Sequence, residues 1–423
     1  MKCIKYCALA LILVITAPPG FADTYSALPV ECYTLYFING ISITNSTISE
    51  DLVLETPLNI SLPAGFEQVT EHIASYNVVF NNSLGAYTFR VEAGRGFVGF
   101  FANKVRVCTS SLNAVTHLLA ALNNPSHSPF SQDSAIPRDV VESYVRTPHG
   151  RVVEVVVPAY EEWFREKYEI GVRNASLLGI AATAALFVYL DYFNYSIGEI
   201  PRSIDEAIRT RQGDCDDMSR VLVELLNYYG IPSIIVSGYV YIDSLEFNMQ
   251  IRNVTYVYMN GGPHAFAMAY IPGLGWISLD FLAGSLLSNP FIIEGYTRDT
   301  STPSEEEVEE FYGLHSALKA VQVIATLTED LAESHLGSPI TTENLIKYLN
   351  GVWNKTLFTE TPHTSTVEST HSAEEPTQHP DLTERPVSPS TPYTLVLAAL
   401  LVLIVGAVIL VLALIRVKGV YTT

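Results

Sequence analysis

Positive charge is scarce in this chain. Of 423 residues, 24 are Lys or Arg against 44 Asp or Glu, a formal net charge of −20. No basic stripe is left to neutralise a phosphate backbone, so nucleic acid is not expected as a partner. The local motifs of several chemistries are missing as well. There is no Gly-X-Ser-X-Gly elbow, no His-Glu-X-X-His zinc pair, no phosphate-cradling Gly loop and no EF-hand loop. His363, His371 and His379 are too dispersed for a metal site. No cofactor and no metal are expected. The acidity is spread along the chain and reads as solubility.

Cysteine is also sparse, with five in all. Cys3 and Cys7 fall in a segment with the three-part pattern of a secretory signal. Lys2 and Lys5 precede an apolar run from Ala8 to Ala17, and Gly20-Phe21-Ala22 offers a cleavage site. Removing residues 1–22 leaves Cys32, Cys108 and Cys215, an odd number for an exported protein. Cys32 and Cys108 can pair in the N-terminal region, which leaves Cys215 as the free thiol. Sequons begin at Asn45, Asn59, Asn81, Asn174, Asn194, Asn253 and Asn354; they permit glycosylation without establishing it.

Long apolar runs are few. Leu177–Leu190 is too short to span a bilayer and is expected as a core helix, whereas Leu395–Ile415 is uninterrupted and matches the roughly 20 residues a spanning helix needs. Arg416 and Lys418 follow it at once, which places residues 416–423 in the cytoplasm and everything upstream outside the cell. A transmembrane helix over 393–415 is therefore expected, reached by a Ser/Thr/Pro-rich stalk at 359–392 that has no apolar periodicity.

Residues 23–135 hold short β-type runs separated by Gly and Asn, which predicts a β-rich, sandwich-like accessory domain. Asn123–Pro137 reads as a linker. Residues 136–300 are helical, then mixed, and 301–358 are expected as a helical segment opened by Ser304 ahead of Glu305, Glu306 and Glu307.

The informative stretch is Gly213-Asp214-Cys215-Asp216-Asp217. Apolar residues at 218, 221, 222, 225, 226 and 229 follow helical spacing, and Gly230 with Pro232 ends the run. Asp214 or Asp216 caps its start, so Cys215 sits where unpaired helix N–H groups favour a thiolate. The three neighbouring carboxylates oppose that unless they point away, so a cationic partner is needed. Downstream, His264, Phe266, Met268 and Tyr270 share one strand face, and Ala265, Ala267, Ala269 and Ile271 share the other. After the turn at Pro272–Gly275, Trp276–Asp280 returns, and Asp280 can hold the His264 tautomer and stabilise its charged form.

Taken together, Gly-Asp-Cys-Asp-Asp opening a helix that ends Gly-Ile-Pro, then Ser237-Gly238-Tyr239, His264-Ala265-Phe266, Pro-Gly-Leu-Gly-Trp and Leu279-Asp280 resemble the core of the transglutaminase-like superfamily. The resemblance is continuous from about Ser203 to Phe281 and extends more weakly back to about Arg138. It implies a papain-like α+β fold with the catalytic residues Cys215, His264 and Asp280. It also implies an acyl-enzyme formed on Cys215 from a polypeptide or other amide and passed to water or to an amine, with water placed slightly ahead. Phe266 stands where the family often has Trp. Candidates for substrate contact are Trp276, Phe266 and Tyr195, the last also a candidate oxyanion donor beside the Cys215 N–H.

A geometric condition follows. His264 and Asp280 share a face only if paired residues across their hairpin have an even sum. A four-residue loop at Pro272–Gly275 gives 547 and turns Asp280 away. A three-residue loop, a five-residue loop with the sum 546, or a bulge brings Asp280 back to the His264 face.

Overall fold

The computed structural model describes residues 30–63, 65–126 and 135–358. The expected signal, stalk and membrane run all lie outside these residues. Among the described residues no helix is long and apolar enough to cross a membrane.

Nine strands form one mixed sheet and helices cover both of its faces. In chain order the first strands are β1 (Glu31–Ser46), β2 (Asp51–Leu54), β3 (Ile60–Leu62), β4 (Phe66–Tyr76), β5 (Val79–Asn81), β6 (Ala86–Arg90) and β7 (Phe97–Thr109). Next come α1 (Ser111–Asn123), α2 (Arg138–Tyr144), α3 (Val157–Tyr168) and α4 (Leu177–Leu186), which runs on as a wider π-turn over Phe187–Tyr192. Then follow β8 (Asn194–Tyr195), α5 (Ile204–Thr210), β9 (Gln212–Gly213), α6 (Cys215–Tyr228), β10 (Ser233–Ile251), β11 (Val254–Ile271), β12 (Gly275–Ser278) and β13 (Phe291–Thr297). The last elements are α7 (Glu305–Ala317), β14 (Leu318–Leu327), α8 (Glu329–Leu336) and α9 (Thr342–Phe358).

The large sheet has the order β13-β10-β11-β14-β1-β7-β4-β3, with β12 also paired to β11. Two expectations are corrected by it. The N-terminal strands do not make a separate sandwich, because β1 hydrogen-bonds β14 and thereby joins β3, β4 and β7 to the strands that carry His264. The segment 301–358 is not purely helical: β14 is an interior strand, parallel to β11 on one side and antiparallel to β1 on the other. Its run Leu318–Leu327 alternates sides, with Val321, Val323, Ala325 and Leu327 under α8 and α9 and Leu318, Ala320 and Ile324 on the opposite face. Short apolar runs of this kind fit helix or strand equally well when only the sequence is known. A smaller sheet, β2-β6-β5, stands apart in the N-terminal part.

Strand β11 decides where the site can be. Its alanines, Ala265, Ala267 and Ala269, pack in the helical layer with α6, while Phe266, Met268 and Tyr270 face the other core. Small side chains there let α6 approach the sheet closely. Met218, Val221, Leu222, Leu225 and Leu226 are fully buried, as the periodicity predicted. The polar side of α6 is buried too. Glu224 accepts from the His149 N–H at 2.6 Å and Asn227 Oδ1 from the Arg146 N–H at 3.2 Å, tying the lead-in to α3 across the helix. Gly230, at φ 71°, ends α6 in the left-handed region where glycine is least strained, and the Ile231 N–H turns back to the Leu226 carbonyl. Leu177–Leu190 is a core segment, with α4 buried against α1 and α6.

Candidate active site

Asp214 is the N-cap of α6 and Cys215 its first residue, so the thiol stands at the end where backbone N–H groups have no carbonyl within the helix. The two-residue strand β9 delivers the chain to this point. Gly213 has no room for a side chain, since a Cβ would come within 2.9 Å of Asp217 Cβ. Cys215 is partly buried and is the free cysteine among the described residues. Cys32 and Cys108, directly opposite in the β1–β7 ladder, form a disulfide.

Each of the three carboxylates around Cys215 is engaged elsewhere. Asp217 accepts from the Arg202 backbone N–H at 2.7 Å and from its guanidinium at 2.8 Å. Asp216 meets Arg220 one turn on at 3.3 Å. Asp214 is buried and accepts from the Gly198 N–H at 2.8 Å, while its other oxygen has no partner. Burial, followed by the closeness of Asp216, pushes the Asp214 carboxyl up to about 7. The carboxylate oxygens lie within 4.8 Å of one another, close enough to share an ion. Here the guanidinium groups of Arg202 and Arg220 already supply positive charge to two of the three.

The hairpin of β11 and β12 satisfies the parity condition. Ile271 pairs with Gly275, Tyr270 with Trp276 and Met268 with Ser278, so every sum is 546 and the turn is the three residues Pro272–Leu274. The Leu279 N–H continues the register onto the Ala267 carbonyl at 2.9 Å. Asp280 thus returns to the His264 face, and His264 Nε2 lies 2.9 Å from Asp280 Oδ2. The same oxygen accepts from the Ser285 N–H at 2.8 Å, and Oδ1 accepts from the N–H groups of Leu282 at 2.9 Å and Ala283 at 3.2 Å. Burial disfavours the Asp280 charge, but His264 and these N–H groups outweigh it and hold the carboxyl below its ordinary value. For His264, burial disfavours the charged ring. The Asp280 carboxylate, with a hydrogen bond and charge from Cys215, more than compensates and lifts it to about 10. With Nε2 turned to Asp280, Nδ1 is the nitrogen left for Cys215.

The three aromatic candidates separate. Trp276 is fully buried between Tyr144 and Tyr270, so it cannot touch a substrate, and that expectation is corrected. Phe266 is also fully buried; it lies under the His264 ring, centroids 6.1 Å apart and planes 20° apart, and supports the ring rather than lining a surface. Tyr195 is 56% exposed and pairs with Gly213 in the β8–β9 ladder, two residues before Cys215.

Sequence reasoning missed a buried relay. Ser219 Oγ donates to the Cys215 carbonyl, the Tyr189 hydroxyl lies 3.0 Å from Ser219 Oγ, and the Ala267 N–H donates to Tyr189 at 3.4 Å. The first turn of α6 is thereby tied to both α4's extension and β11. Ser219, four residues after Cys215 inside an apolar helix, was the available signal.

Comparison with known proteins bears on this geometry. Residues 168–281 match the model of the transglutaminase-like superfamily, a span that contains the helix of Cys215, the strand of His264 and Asp280. The chain carries a transglutaminase-like domain. No curated protein matches it. Among solved structures, a provisionally assigned cysteine protease of Cytophaga hutchinsonii is similar at 14% identity and a TM-score of 0.36. That match covers 71% of this chain and 93% of the other, a likeness too distant to argue from. The transglutaminase-like match begins within α3 and stops just after Asp280, so α7 to α9 and the strands β1 to β7 lie outside it.

Proposed function

We propose that the chain is an exported, membrane-tethered cysteine enzyme that attacks amide bonds of polypeptides through an acyl-enzyme on Cys215. The observation that carries the reading is the 2.9 Å contact of His264 Nε2 with a carboxylate that three backbone N–H groups hold ionised. It leaves Nδ1 to a thiol at a helix N-terminus. In the reaction the Cys215 thiolate attacks the carbonyl carbon, and the oxyanion is met by the Cys215 N–H, with Tyr195 a further candidate donor. The His264 imidazolium gives its Nδ1 proton to the departing amine as the C–N bond breaks, which leaves a thioester. His264, now neutral, takes a proton from water, and the resulting attack releases a carboxylic acid. Water ranks ahead of an amine as acceptor because it needs no site of its own. Export is supported by the Cys32–Cys108 disulfide, and tethering by the apolar run Leu395–Ile415 beyond the described residues. To test the reaction, an amide-peptide library is incubated with the ectodomain, with and without a primary amine, and products are read by mass spectrometry. Hydrolysed amides support the reading. Amine adducts in their place would reverse the order of acceptors, and no product from any amide would leave the chain a binding protein.

A further inference from the structure

An open groove of about 580 Å³ lies beside the site: its lining includes Asp216 and Ala265, the chain neighbours of Cys215 and His264. Four carboxylates line it, from Glu199, Asp216, Asp299 and Glu307, against a single cation, Arg220. Arg220 is already paired with Asp216. The other three acids take their hydrogen bonds from neutral donors; Asp299 also feels the charges of Arg146 and Arg220. Glu199 accepts from the Tyr312 hydroxyl at 3.0 Å, Asp299 from the Ser301 N–H at 3.0 Å, and Glu307 from Ser304 at 2.7 Å. Hydrogen bonds from Ser301 and Ser304 hold Asp299 and Glu307 below the ordinary carboxyl range, so both are ionised at neutral pH. Apolar surface from Ile200, Pro201 and Phe311 lines the same groove. Apolar walls in company with carboxylates suit a side chain with a methylene stem and a cationic head.

We propose that this groove binds a Lys or Arg side chain of the polypeptide next to the amide that Cys215 attacks, and so selects basic substrates. The proposal deepens the function proposed above, and its test is built so that either can fail alone. The full-length chain carrying Cys215→Ala is titrated with two labelled peptides identical except for two Arg in one and two Glu in the other. Arg cannot serve as an acyl acceptor at neutral pH, which separates this site from capture of an attacking amine. The Arg peptide is expected to bind at least tenfold more tightly. Adding Glu199→Gln and Asp299→Asn, which keep the hydrogen-bond acceptors, is expected to weaken it about tenfold, since exposed charge pairs contribute up to about fivefold each. The exposed acids Glu67 and Glu71 on β4 control for the net charge of the whole molecule through Glu67→Gln with Glu71→Gln. Equal binding of the two peptides, or equal losses in the groove and control variants, would overturn the proposal. Turnover of the same peptides by the unsubstituted chain reads the Cys215 chemistry separately: preference without turnover sinks the enzyme reading and keeps the groove, and turnover without preference does the reverse.

Discussion

Asp280 spends both of its oxygens on fixed donors, so its carboxylate has one orientation and His264 one tautomer. The pair has a defined pH window. A raised His264 contributes stability fully below its unfolded value of 6.5 and loses it as pH rises through about 10. A lowered Asp280 contributes above its unfolded value of 3.8 and loses it as pH falls through its still lower folded value. The imidazolium that the proposed reaction needs therefore persists to about pH 10. Asp280→Asn is expected to lower kcat/KM by about a thousandfold and to move the alkaline limb of its pH profile toward neutrality, because burial then acts on His264 with Cys215 alone of its two charged partners left to oppose it. An unchanged limb in a pH-rate series would mean that Asp280 does not hold the charge on the ring. At this scale much was legible beforehand. The helix start at Cys215, the strand face of His264 and the hairpin that carries Asp280 were readable as local periodicities, and the resemblance to the transglutaminase-like core singled the three out as a set. Tyr189 and Arg202 were not legible, since their contacts with Ser219 and Asp217 arise only when separate elements are packed.

At the scale of elements, the site depends on α6 lying close to β11, and the alanine face makes this possible. Ala267 is fully buried against the helical layer and its carbonyl holds the Leu279 N–H that sets Asp280 in register. Ala267→Leu is expected to cost about 1–3 kcal/mol through overpacking and to reduce turnover by far more than the lost stability explains. The helix that carries Cys215 would be displaced from the strand that carries His264. Thermal melts paired with kcat/KM measure both. Turnover that survives a lowered melt would show that the spacing is less critical than argued. Helix α6 was readable because its apolar positions repeat at helical spacing and Gly230 stops them. Strand β14 was not, because its short, mostly apolar run, interrupted at Lys319, Gln322 and Thr326, does not distinguish strand from helix until β1 and β11 pair with it.

For the molecule as a whole, the N-terminal strands β1, β3, β4 and β7 lie in one sheet with the strand that carries His264, while β2, β5 and β6 form a sheet of their own. The composition of residues 23–135 showed strands but could not show that they continue the core sheet, since strand pairing between β1 and β14 spans most of the chain. The Cys32–Cys108 disulfide closes a loop of 76 residues within this part. Replacing both with Ser is expected to cost roughly 2–4 kcal/mol, mainly by freeing the unfolded chain. The melting temperature of the wild type should fall under reductant by a matching amount, and a melt insensitive to reductant would count against the disulfide as a stabilising link.

The central claim is that Cys215 forms a covalent acyl intermediate. It is tested most directly by quenching the protein in acid during turnover of an amide or activated ester and mapping the adduct by tandem mass spectrometry. The account predicts an acyl mass on the peptide containing Cys215, absent from a Cys215→Ala variant whose melting temperature is nearly unchanged. An adduct on another residue, or amide turnover that persists in Cys215→Ala, would contradict it.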